Sequence, residues 1–309
     1  METKLRHASP MASIVVLILA FVATGPAGAH PPDHDQVQSG TTGQGTLGEV
    51  GAKLSNPVSD VWAMFTEFDL LFSDGNFNTG DAKVGSAMNF QPILPVPLAD
   101  GWKIIVRPSV PLFFVQPQPD RQTPSGDTYD YRAGLSDIIL PLPVSPVLDN
   151  WIVALGPSFL LPTSTSRDLG NQQWGMGPAG VFGYKNKDFV AGIFPQYFWK
   201  LADRGDQRSR TPNLSKGILL YFAYYNLPNA WQIGFNPTIS YDDKAKGGDK
   251  WNVPVGMGFA KTTKIGGRPV KLQFSVEYSV VSEDTFGKRA LIKLNVIPVI
   301  DSLMKKPIF

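Results

Sequence analysis

Trp231-Gln-Ile-Gly-Phe-Asn-Pro-Thr-Ile-Ser-Tyr-Asp242 and Trp251-Asn-Val-Pro-Val-Gly-Met-Gly-Phe-Ala-Lys261 alternate between apolar and polar or small residues. Pro269-Val-Lys-Leu-Gln-Phe-Ser-Val-Glu-Tyr-Ser-Val280 does the same. A period of two puts one set of side chains on each face of a β-strand. One set is Trp231, Ile233, Phe235, then Trp251, Val253, Val255, Met257, Phe259, then Val270, Leu272, Phe274, Val276 and Tyr278. The other set holds Gln232, Asn236, Asn252, Lys271, Gln273, Ser275 and Glu277. These runs exceed the usual strand of about five or six residues. They match the roughly nine to eleven tilted residues with which a β-strand crosses a bilayer. Aromatic residues gather at the run ends, where the two membrane interfaces would lie.

Outward from this stretch, the pattern predicts twelve strands, at 61–73, 83–98, 102–115, 134–145, 151–162, 173–184, 188–200, 215–226, 231–242, 250–261, 268–281 and 288–300. Short turns at 99–101, 148–150, 185–187, 227–229 and 264–267 alternate with longer polar loops. Outer-membrane barrels carry short periplasmic turns and longer outside loops. An even strand count then leaves both termini in the periplasm. The predicted fold is an all-β, transmembrane, antiparallel up-and-down β-barrel at 61–309, with outer-membrane lipid against its outer face. Prolines inside several runs, Pro108 and Pro143 among them, each remove a ladder bond and predict bulges or bends.

Composition agrees. A hydrophobic fraction of 43% with mean hydropathy near zero is too polar for a helical membrane protein and suits a barrel that shows every second residue to lipid. A net charge of +2 argues against a nucleic-acid partner. The chain contains no Cys, so no disulfide framework is expected.

The first 29 residues read as a secretory signal. Lys4, Arg6 and His7 are basic, Ser13–Ala23 is apolar, and Ala27-Gly28-Ala29 fits the cleavage pattern. Residues 30–60, rich in Gly, Gln, Thr, Asp and Pro, read as a flexible periplasmic segment with no apolar period.

Motifs for other chemistries are weak. Gly175-Met-Gly-Pro-Ala-Gly180 matches a dinucleotide fingerprint, but a strand pattern follows it where a helix is required. A small-residue inner face that leaves space in the lumen is the better reading. Arg204-Gly205-Asp206 sits in a charged outer loop and reads as solvated sequence. His30, Asp33, His34 and Asp35 form too sparse a set for a metal site. The only other histidine is His7, so the barrel region has no histidine general base and no catalytic or cofactor site is predicted.

Side chains expected to line the lumen are Glu67, Asp69, Asn89, Gln91, Lys103, Arg107, Asp137, Gln196, Gln232, Asn236, Asn252, Lys271, Gln273, Glu277 and Lys293. Closure of strand twelve on strand one would bring Lys293 to the wall that carries Glu67 and Asp69. A salt-bridged prop across a narrow interior and a polar constriction for passing solutes both fit this set. The two faces also predict that Leu272→Arg on the lipid side, if it sits near the midplane, costs about 2–4 kcal/mol and Gln273→Arg much less.

Several segments resemble a known family. They are Leu54-Ser-Asn-Pro57, Asn89-Phe-Gln-Pro-Ile-Leu-Pro95, Gly134-Leu-Ser-Asp137, Gly156-Pro-Ser-Phe-Leu-Leu-Pro-Thr163, Gln173-Trp-Gly-Met-Gly-Pro178 and Lys264-Ile-Gly-Gly-Arg-Pro-Val270. The chain resembles, from about 54 to about 300, the bacterial outer-membrane barrels mislabelled "neuromedin U", which lie near transporter barrels associated with phenol-degradation pathways. The resemblance implies an outer-membrane location and passive passage of small solutes, weakly polar organic compounds among them. A structural or adhesive barrel with a plugged lumen and functional outer loops is the alternative.

Overall fold

The computed structural model describes residues 45–78, 80–120, 128–205, 212–304 and 306–309. The expected signal segment, His30, Asp33, His34, Asp35 and Asp206 lie outside the described residues.

Twelve antiparallel wall strands close into a barrel. They are β1 (Ala63–Asp74), β2 (Lys83–Ala99), β3 (Trp102–Val106 and Val110–Pro119), β4 (Tyr129–Leu135, Ile138–Pro141 and Val144–Pro146), β5 (Trp151–Leu161) and β6 (Gln173–Lys185). β7 (Phe189–Asp203), β8 (Ser215–Leu227), β9 (Trp231–Phe235 and Thr238–Asp242), β10 (Trp251–Ile265), β11 (Arg268–Val281) and β12 (Gly287–Pro298) complete it. β12 pairs with β1 in the register Glu67↔Asn295 and Asp69↔Lys293, so the sheet has no free edge there. The continuous runs expected at 102–115, 134–145 and 231–242 are broken. Pro108, Pro143 and Pro237 stand in the breaks, where a missing N–H cannot continue the ladder.

The outer face is the apolar set of the sequence pattern. Leu155, Phe182, Ile193, Val255, Met257, Phe259 and Val276 are exposed around the wall. Aromatic rings bound this band at both ends. At the short-turn end Trp151 packs edge-on to Tyr184 at 5.3 Å; at the other, Tyr241 stacks near Trp251 at 4.4 Å. Such girdles mark the two interfaces of a membrane barrel. Val276, between Met257 and Ile292, lies mid-band. Val276→Arg is expected to destabilise the barrel by about 2–4 kcal/mol, read as a lower urea midpoint in lipid. Leu272 stands only four residues from the start of β11, nearer an interface, where the cost is smaller.

Two expectations need correction. The inner-face glycines do not leave open space. A Cβ on Gly177 would clash with the carbonyl oxygen of Tyr197, so the glycine admits the neighbouring strand's backbone. Nor is the whole of 30–60 without ordered structure. Leu47–Leu54 forms a helix, α1. Thr46 and Glu49 make a reciprocal capping box, with Thr46 N donating to Glu49 Oε2 at 2.9 Å.

The chain after β12 leaves the wall. Ile308 N and Phe309 N donate to the carbonyls of Pro97 and Leu98 on β2, so the C-terminal aromatic is not the end of the last strand.

Candidate functional site

The barrel interior is divided between a helix, an apolar wall and a charged belt. α1 and the chain that follows it enter the short-turn end. Val50, Leu54 and Val58 pack into one cluster with inward side chains from opposite sides of the barrel, among them Ile93, Ile105, Ile152, Val190 and Phe222. A helix inside the lumen can bury Val50 and Leu54, four residues apart on one face, only against such inward apolar groups. On β5 and β7 the inward set near α1 is therefore apolar, with the hydrogen-bonded Ser158 and Gln196 farther along, whereas β11 turns polar groups inward.

Polar contacts tie α1 to that second wall. The Lys271 ammonium donates to Ser55 Oγ and lies 4.5 Å from the centre of the Tyr224 ring. Ser55 Oγ in turn donates to Gln232 Oε1 at 3.2 Å. Lys271 is 1% exposed, so its charge depends on these neighbours. Hydrogen bonds to a charged group contribute about 1.5–3 kcal/mol. Ser55→Ala is expected to speed amide exchange in residues 47–54 by about ten-fold or more. Unchanged exchange would mean that Val50 and Leu54 hold the helix alone.

The charged belt lies deeper. Lys293 Nζ stands 2.8 Å from Glu277 Oε1 and 3.6 Å from Glu67 Oε2, and all three side chains are nearly inaccessible. Asp69 is the cross-strand partner of Lys293. Asp69 Oδ1, Ser275 Oγ and both amide atoms of Asn295 are buried with no hydrogen-bond partner among the described residues. Beside the belt, Arg107 donates to Gln91 Oε1 at 3.0 Å and Ser109 donates to Asn89 Oδ1 at 2.9 Å. Gln273 donates to Asn236 Oδ1 at 2.9 Å and accepts from the Tyr224 hydroxyl at 3.1 Å. Between α1 and this belt remains a void of about 30 Å³, lined by Leu54, Arg107, Tyr224 and Gln273. That is space for about one water.

The other residues expected in the lumen lie apart from the belt. Gln196 accepts from Ser158 Oγ at 2.8 Å. Gln232 belongs to the contacts of α1. Asn252 donates to Glu283 Oε2 and to the Lys288 carbonyl, close to the β11–β12 loop. Asp137 is no lumen group. Its carboxylate accepts from the backbone N–H groups of Ser164 and Asn171, holding the 162–172 loop at the mouth of the barrel. Lys103 lines a cleft at the short-turn end. Arg204 of the Arg-Gly-Asp tripeptide donates to the Ser164 carbonyl, tying its own loop to the same mouth.

What the alternation missed is α1 and its partners Ser55 and Tyr224. A signal was present: Thr46-Leu-Gly-Glu49 is a capping-box sequence, followed by Val50 and Leu54 at helical spacing.

The barrel is similar to an outer membrane channel from Pseudomonas putida F1, with a TM-score of 0.57 at 13% identity over 80% of this chain and 98% of that one. The NanC porin scores 0.44 at 12% identity, over 77% of this chain and 99% of that one. Outer membrane phospholipase A from Escherichia coli scores 0.40 at 10% identity, over 82% and 99%. At 13% identity the likeness to the Pseudomonas putida channel shows the fold alone, that of an outer-membrane β-barrel. No family profile and no curated protein matches the chain.

Proposed function

We propose that this protein is exported to the outer membrane and passes small, weakly polar organic solutes passively through its lumen, with α1 as a removable closure. The carrying observation is the two-sided interior. Ile152, Val190, Phe194 and Phe222 form an apolar wall opposite a belt of Glu67, Glu277 and Lys293. Sites for small organic molecules combine such apolar lining with a few placed polar groups. The unpartnered polar atoms of Asp69, Ser275 and Asn295 support a belt that meets water or solute, since dry interiors satisfy such groups.

The second reading, a structural or adhesive barrel, is favoured by one observation: α1 fills the end of the lumen. Solute uptake into liposomes separates the two. The channel reading expects uptake of phenol-sized solutes that increases when residues 45–58 are removed. No uptake by either form would sink it.

A further inference from the structure

A cleft of about 650 Å³ opens at the short-turn end, between the outward side of α1 and the rim formed by residues 145–152 and 185–190. It is separate from the charged belt. Val58, Ile152 and Val190 close its base and are almost wholly buried, so the apolar surface it offers comes from the exposed Val147, Leu148 and Leu227. Its ionisable lining is Lys53, Lys103, Lys185 and Lys187 against Glu49, Asp60 and Asp149, four cations to three anions. Glu49 is committed to the helix cap, and Asp60 pairs with Lys53 at 3.4 Å. The ammonium groups of Lys103 and Lys185 make no direct ion pair or hydrogen bond among the described residues, and Asp60 is the anion that acts on Lys103 across the cleft. Lys103 is moreover half-buried on β3, beside the buried Ile105.

A partly desolvated ammonium beside an apolar lining is poorly matched by water alone. It is well matched by a ligand with an apolar body and one anionic head. An inorganic anion would leave the apolar lining unused, and a neutral solute would give Lys103 no direct anionic contact. The cavity lies within the roughly 300–1,000 Å³ range of small-molecule sites. We infer that this cleft binds a small organic carboxylate, its ring or chain on Val147, Leu148 and Leu227 and its carboxylate on Lys103, with Lys185 nearby. The place of the site in transport rests on the passage reading: a solute leaving the lumen on the periplasmic side would meet this cleft last. Binding itself needs no passage.

The test is calorimetric titration of the full mature chain in detergent with benzoate, benzyl alcohol and inorganic phosphate. Benzoate is expected to bind. Lys103→Gln should weaken it about ten-fold, the size of one charge-assisted contact, and Lys103→Arg should keep most of the affinity. Benzyl alcohol should bind more weakly and equally to all forms. If Lys103→Gln fails to fold, Lys185→Gln, at the end of β6, carries the test with a smaller loss of benzoate affinity. Absence of benzoate binding, equal benzoate affinity in the wild type and the folded Gln variant, or phosphate binding as tight as benzoate would overturn the site. Liposome uptake reads the passage function independently, so either idea can fail without the other.

Discussion

Lys293→Met is expected to destabilise the folded barrel by about 3–5 kcal/mol, the cost of breaking a buried ion pair by removing one partner. The ammonium lies between Glu277 and Glu67, with Asp69 opposite it across the β1–β12 seam. Without it, three carboxylates share one confined space. Met keeps the length of the side chain, so the loss reports charge more than packing. The midpoint of urea unfolding in lipid gives the measurement. Lys293→Met combined with Glu277→Gln should recover part of the loss, because it removes one charge of each sign. A single variant as stable as wild type would mean that water solvates the belt freely. That result would contradict the ion-paired prop and leave an open constriction.

Removing residues 45–58 is expected to raise solute uptake by at least about ten-fold, because an α-helix with its side chains is about 10–12 Å across and its loss clears a bore of that order. The wall should survive. Its strands are joined by ladder bonds, including the β1–β12 closure, and none of those bonds involves α1. The deletion exposes Lys271, now 1% accessible, to lumen water, where its charge is inexpensive. Uptake that stays at the wild-type level would show that the belt, not α1, closes the lumen, and Lys293→Met should then raise uptake instead.

The comparison of two neighbouring positions shows where the sequence stops being sufficient. Val276 and Glu277 were assigned to opposite faces by alternation, and they occupy them. Alternation also turns Gln273 inward, and from that face Gln273→Arg reads as much less costly than Leu272→Arg. The structure says otherwise. Gln273 is 3% exposed, its amide bridging Tyr224 and Asn236 directly beneath α1. An arginine there would meet a void of only about 30 Å³ and the neighbouring Arg107. Alternation tells which side of the sheet a residue takes; it does not tell whether that side is wet.

Strand number, turn asymmetry, lipid face and the meeting of Lys293 with Glu67 were determined by the sequence itself. Each follows from a period of two along one strand, or from counting strands around a closed ring. The tertiary structure alone decided what fills that ring. Phe65, Ile93 and Phe222, on β1, β2 and β8, belong to strands far apart in sequence, and Val50 and Leu54 to a helix that precedes the wall. Their common cluster exists only once closure has brought opposite walls within reach of one helix. The same holds for Lys103, whose cleft has one side from the rim and the other from α1. Local pattern assigns faces because neighbours along a strand are fixed by covalent geometry; the contents of an enclosed space depend on all the walls at once.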